Sequence, residues 1–121
     1  MAKYFSPEEF RRCTPSCSIL KMDAQFLQTL DKVRELAHIP LVLNSAYRSP
    51  EYERSKGRTG TSAHCQGRAV DIRCNTSANR LTIIRAALAA GIERIGVGKT
   101  YIHLDTATDA GHPRGIWHYY E

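Results

Sequence analysis

The sequence of 121 residues is poor in several features that mark whole protein classes. It has no long hydrophobic run. The greasiest stretch, residues 81–92, is interrupted by Arg85 and falls well short of the ~20 apolar residues a membrane helix needs, so no membrane partner is expected. The opening MAKYFSPEEF has no apolar h-region, which argues against a signal peptide. There is no repeat, low-complexity tract or linker, so arrays and disordered tails are excluded. Cysteine is scarce: Cys13, Cys17, Cys65 and Cys74 form neither paired CxxC motifs nor a disulfide framework, and reduced thiols are the expectation. Helix-turn-helix and zinc-finger spacings are absent too, and the basic residues are scattered, which argues against a nucleic-acid binder.

What is present describes one soluble globular domain over residues 1–121, expected to be monomeric. Hydrophobic residues make up 42% and charged residues 24%, with a mean hydropathy of −0.40. The net charge of +5 favours an anionic partner, either nucleic acid or an acidic polymer such as a bacterial cell wall. Ser6-Pro7-Glu8-Glu9 reads as a capping box opening a short helix. Asp23 caps a longer helix to about His38, with Phe26, Leu27, Leu30, Val33, Leu36 and Ala37 on one stripe. Residues 41–43 read as a buried strand, and Pro50 opens a polar helix, PEYERS. Residues 56–62, KGRTGTS, form a basic loop, and residues 69–72 a second strand. Ser77 caps a helix over residues 78–90 with Leu81, Ile84 and Leu88 inward and Gly91 as its stop. Residues 94–97 and 101–105 form a hairpin through Gly98-Lys99-Thr100, and residues 116–120 a last strand. The order predicts an α+β fold with a small antiparallel or mixed sheet and helices packed on it.

The chemistry concentrates in two places. In TSAHCQGRAVD, Asp71 stands on a strand whose Val70 and Ile72 point the other way. In YIHLD, Tyr101, His103 and Asp105 share one strand face while Ile102 and Leu104 point to the core. A carboxylate on a central strand is costly unless a cation or donors meet it. His64, Asp71 and His103 are the residue types that hold a catalytic zinc, three protein ligands with a fourth position open.

The segments SAYRSPEY (45–52), SAHCQGRAVDI (62–72) and RIGVGKTYIHLD (94–105) closely resemble the zinc D-alanyl-D-alanine carboxypeptidase and peptidoglycan endopeptidase family. Its fold is shared with hedgehog signalling domains and vancomycin-resistance D,D-dipeptidases. Ser62, His64, Gly67, Ala69 and Asp71 match the pattern S-x-H-x-x-G-x-A-x-D in order, and FSPEEF and LDKVRE extend the likeness to the family's short phage and bacterial members. The resemblance implies Zn²⁺ on His64, Asp71 and His103, with Arg48 binding substrate and polarising the scissile carbonyl, and Ser62 contacting substrate. The bland role for Arg48 is an ion pair with Glu51 or Glu53. Many relatives carry an acid three positions before the last histidine, or a histidine two before it; here those positions are Thr100 and Tyr101. Asp105 is then the first choice for general base, with His118 and Glu93 in reserve, unless Asp105 instead orients His103. The implied activity is hydrolysis of peptide bonds in peptidoglycan stem peptides, as a carboxypeptidase or an endopeptidase of the endolysin kind. The alternative is a non-catalytic zinc-containing wall-binding or interaction module. The expected place of action is the cell wall, reached by release or by export that needs no signal peptide.

Overall fold

The computed structural model describes residues 4–110 and 112–120. Four helices and five strands follow the chain as α1 (Pro7–Arg11), α2 (Ala24–Ala37), β1 (Leu43–Ser45), α3 (Pro50–Ser55), β2 (Ala69–Arg73), α4 (Ser77–Ala89), β3 (Arg94–Val97), β4 (Tyr101–Asp105) and β5 (Gly115–His118). The strands form one mixed sheet in the order β1-β2-β4-β3-β5. All neighbours are antiparallel except β3 and β5, which run parallel. The α+β reading with a mixed sheet holds.

The helix starts are set by local chemistry. Ser6 donates its N–H to Glu9 Oε2 at 2.9 Å, one half of the expected capping box, ahead of Pro7. Asp23 accepts from the Phe26 N–H at 2.8 Å and starts α2. Ser49 caps α3 through Tyr52 N–H, and Thr76, one residue before the expected Ser77, caps α4. One face of the sheet packs on α2 and α4: Val70, Ile72, Ile95, Ile102 and Leu104 are fully buried there with Phe26, Leu30, Val33, Ile83 and Ala87. Each such aliphatic side chain contributes roughly 1.5–3 kcal/mol of burial.

Three local expectations shift. β1 begins two residues later than expected, and Val42 lies exposed while Ser45 pairs with Asp71. In α4, Ile83, Ala86 and Ala87 face inward, whereas Leu81 and Leu88 are exposed. Apolar residues lie on both sides of this helix, so spacing alone admits two orientations, and the alanine side allows the closer approach to α2. Leu36 is exposed on α2 for the same geometric reason, lying at the edge of the stripe.

The other face of the sheet carries the polar row. Cross-strand register places Ser45 opposite Asp71, Asp71 opposite His103, His103 opposite Gly96, and Gly96 opposite Trp117. Residues opposite one another share a face, so this line crosses all five strands. The adjoining line runs Ala69, Asp105, Arg94, Gly115.

Candidate metal centre

Asp71 and His103 meet because β2 and β4 pair in this register: His103 Nδ1 lies 3.0 Å from Asp71 Oδ1. His64 comes from a 3-10 turn, Ala63–Gln66, immediately before β2. Its Nε2 is 3.5 Å from the same Asp71 oxygen. Gly67 makes the approach feasible. It ends the turn with φ +69, and a Cβ there would lie 2.3 Å from the Lys21 carbonyl oxygen. The Asp23 N–H in turn donates to the Gly67 carbonyl at 2.9 Å, docking the turn on the start of α2.

One donor atom from each of His64, Asp71 and His103 lies within 4.8 Å of the other two. In a tetrahedral zinc site with bonds of about 2.0–2.1 Å, adjacent donors stand roughly 3.3 Å apart. The separations of 3.0 and 3.5 Å bracket that value, and two imidazoles with one carboxylate are a donor set zinc takes. The residues fit the ion.

The far side of every donor group is occupied. His64 Nδ1 is 2.7 Å from the Ala46 carbonyl, which fixes Nδ1–H and leaves Nε2 its lone pair. Asp71 Oδ2 accepts from Arg48 Nη2 at 2.8 Å, so Oδ1 alone faces the imidazoles. His103 Nε2 donates to Asp105 Oδ2 at 2.6 Å, which turns Nδ1 inward. Asp105 is fully buried and its second oxygen is also taken, by Arg94 Nε at 2.7 Å and the Ala107 N–H at 3.0 Å. Burial works to raise both carboxyl pKa values. The contacts with His103 and His64 outweigh it at Asp71, and the hydrogen bonds from His103, Ala107 and Arg94 outweigh it at Asp105, so both sit below the ordinary range. At His103 burial pushes down, and the contacts with Asp105 and Asp71 push the net value up.

With this geometry established, the likeness to known proteins has a physical basis. Residues 3–105 match the family described as Peptidase M15. The chain belongs to the peptidase M15 family. No curated protein is a significant match to it. Family membership implies a zinc-dependent metallopeptidase, and the His-Asp-His group is where this M15 chain would hold its ion.

The cleft above the donors, about 430 Å³, separates the residues singled out from sequence. Arg48, Ser62, His64, Asp71, His103 and Asp105 all line it. His118 and Glu93 do not. His118 is exposed, its ring lies against Tyr120, and its Nδ1 accepts the Tyr120 N–H. Glu93 pairs with Arg114 at 2.6 Å, both exposed. Of the two acids offered as ion-pair partners for Arg48, Glu53 is the one used, and it is buried rather than on the surface. Sequence reasoning passed over Arg58, Arg94, His112, Trp117 and Tyr119, which complete the lining with Glu53, Ala63 and Tyr101. Trp117 was within reach, since period two on the last strand puts it across from Gly96 and beside His103, their rings 5.6 Å apart. Arg94 is brought in by the β3–β4 register, and Arg58 and His112 come from loops whose paths the sequence does not encode locally.

Proposed function

We propose that this chain is a zinc peptidase that hydrolyses amide bonds in peptidoglycan stem peptides. The observation that carries the reading is the convergence of three donor atoms, each held by a partner behind it, at the floor of a cleft lined by arginine. Bound zinc supplies a Lewis acid that polarises a carbonyl and acidifies water.

The chain's own residues divide the remaining work. Arg48 has five N–H groups. Nε binds Ser45 Oγ at 2.9 Å, Nη1 meets Glu53 and Nη2 meets Asp71, so each terminal nitrogen keeps one hydrogen for a substrate oxygen. A planar guanidinium suits a carboxylate or a developing oxyanion. The three carboxylates of the cleft are already committed: Glu53 to Arg48 and Arg58, Asp71 to Arg48 and the imidazoles, Asp105 to Arg94 and His103. Asp105 is therefore placed to orient His103, and the proton transfer first given to it passes to another group. Tyr101 and Tyr119 have pKa values raised by burial and stay protonated. Among the described residues, His112 is the imidazole of the cleft outside the donor set, and we give it the proton transfer. The net charge of +5 supports an anionic wall as substrate.

The commitment of every carboxylate also favours a second reading, a zinc-holding wall-binding module without turnover. Digestion of purified muropeptides, followed by mass spectrometry, separates the two. The zinc-loaded protein should release a defined fragment that chelator and His64→Ala both abolish. Wall binding with no new fragment at any time would replace the peptidase with the binding module.

A further inference from the structure

Helix α3 is short and polar, yet it carries the most deeply buried charged side chain of its segment: Glu53 is 1% exposed. A buried carboxylate is retained at a cost unless cations and donors meet it. Two guanidiniums do so, Arg48 Nη1 at 3.4 Å and Arg58 Nη1 at 3.2 Å, together with the Ser62 hydroxyl. Arg58 is half-exposed at the cleft rim, whereas Arg48 reaches inward to Asp71. Charges thus alternate along one line from the rim to the donors: Arg58, Glu53, Arg48, Asp71.

We propose that Glu53 is the positioning residue of the centre, acting through Arg48 to hold Asp71 with one oxygen on the ion. This rests on the reading of His64, Asp71 and His103 as ligands. A divalent cation beside Asp71 repels the Arg48 guanidinium, which lies on the same carboxylate. Ser45 and the backbone supply only neutral partners to hold it: Arg48 Nε donates to Ser45 Oγ at 2.9 Å, and the Arg48 N–H to the His64 carbonyl at 3.2 Å. Glu53 is the anion behind the guanidinium on the side away from Asp71. It offsets the repulsion and keeps Arg48 on Oδ2, so that Oδ1 stays directed at the imidazoles. Without it, Arg48 is free to leave Oδ2 when the cation enters, and the carboxylate loses its fixed orientation.

The test is zinc affinity, read by competition with a chromophoric chelator, in the full chain. Outer partners of metal ligands are typically worth about 10–100-fold in affinity. Glu53→Gln keeps the shape and removes the charge, and it should weaken zinc by about 10-fold or more. Glu53→Asp keeps the charge at shorter reach and should fall between wild type and Glu53→Gln; it also serves as the test if Glu53→Gln does not fold. The decisive arm is the double variant. In an Arg48→Ala background, Glu53→Gln should change zinc affinity less than twofold, because its route to Asp71 is gone. An unchanged affinity in Glu53→Gln overturns the proposal, and so does an equal loss in the Arg48→Ala background, which would make Glu53 a through-space charge and not a positioning residue. A wild-type protein that binds no zinc would defeat the ligand reading itself, a separate outcome.

Discussion

Asp105→Asn separates the two roles open to Asp105. The side chain is fully buried, with Oδ2 at 2.6 Å from His103 Nε2 and Oδ1 at 2.7 Å from Arg94 Nε. An amide has one acceptor where the carboxylate has two. If its oxygen stays on Arg94 and the Ala107 N–H, its NH₂ faces His103 Nε2, which must then become an acceptor. The ring proton moves to Nδ1, the atom beside Asp71, and the lone pair meant for a metal is lost. The flipped amide instead presents NH₂ to Arg94, which is worse. Removing one partner of a buried ion pair costs about 3–5 kcal/mol. Arg94 keeps its stacking on Trp117, 4.7 Å from the ring centre, and its bond to the Pro113 carbonyl, so the lower end of that range, about 3 kcal/mol, is expected. For a chain of this size that lowers the melting temperature by roughly 10–15 °C. Zinc affinity should fall about 10–100-fold. Chelator competition and thermal unfolding of the metal-free protein read both. A variant that binds zinc like wild type, melts within about 3 °C of it and yet has no turnover would make Asp105 the proton acceptor and refute the orienting role.

Four further outcomes are expected. His112→Ala should keep zinc stoichiometry and lower kcat by about 10²-fold or more, whereas His118→Ala, facing away from the cleft, should hydrolyse muropeptides at the wild-type rate; the reverse pattern would move the proton transfer to His118. Gly67→Ala forces a side chain into φ +69 with its Cβ 2.3 Å from the Lys21 oxygen, and urea unfolding should show a loss of about 2–4 kcal/mol with weaker zinc binding; a loss below about 1 kcal/mol would show that the turn can move aside. Glu9→Gln probes acid stability away from the centre. Burial alone would raise the Glu9 pKa, but the Arg34 bond at 2.8 Å and the Ser6 N–H lower it below 4.5, so its contribution is present above about pH 4.5 and is lost as pH falls through the folded value. The gap between wild type and Glu9→Gln should be about 1 kcal/mol at neutral pH and close at low pH; a gap independent of pH would remove the ion pair as its cause.

The fold was legible where a residue's role depends on near neighbours. Caps at Ser6 and Asp23, the helix opened by Pro50, the Gly91 stop and the hairpin over residues 98–100 rest on contacts a few residues apart, and all formed. The inward face of α4 was misread because Leu81, Ile83, Ile84 and Leu88 give the helix apolar residues on both sides. Only its packing partner, α2, decides between them. The start of β1 was placed too early because Leu41 is buried without being in the strand; hydrophobicity marks burial, and pairing with β2 sets the strand.

The site divides along the same line. His103 and Asp105 were readable because period two puts them on one face, and Asp71 because Val70 and Ile72 point oppositely. What sequence could not give is which carboxylate oxygen faces which group. Asp105 is of the residue type of a base, and the partner on which our orienting proposal rests, Arg94, is brought alongside only by the β3–β4 register. The positions where relatives carry an acid or a histidine illustrate this. Thr100 is exposed in the hairpin turn, and Tyr101 packs against Tyr119 with rings 5.4 Å apart, so neither puts a proton acceptor on the donors. The matched residues end at 105, but the cleft does not: His112, Trp117 and Tyr119 close it from beyond that point. Gly96 is what lets Trp117 and Tyr119 in, since a Cβ there would lie 2.7 Å from Tyr119 and 2.8 Å from Trp117. The donors are thus set by β2, β4 and the turn before β2, whereas the imidazole to which we give the proton transfer, His112, lies beyond the matched residues.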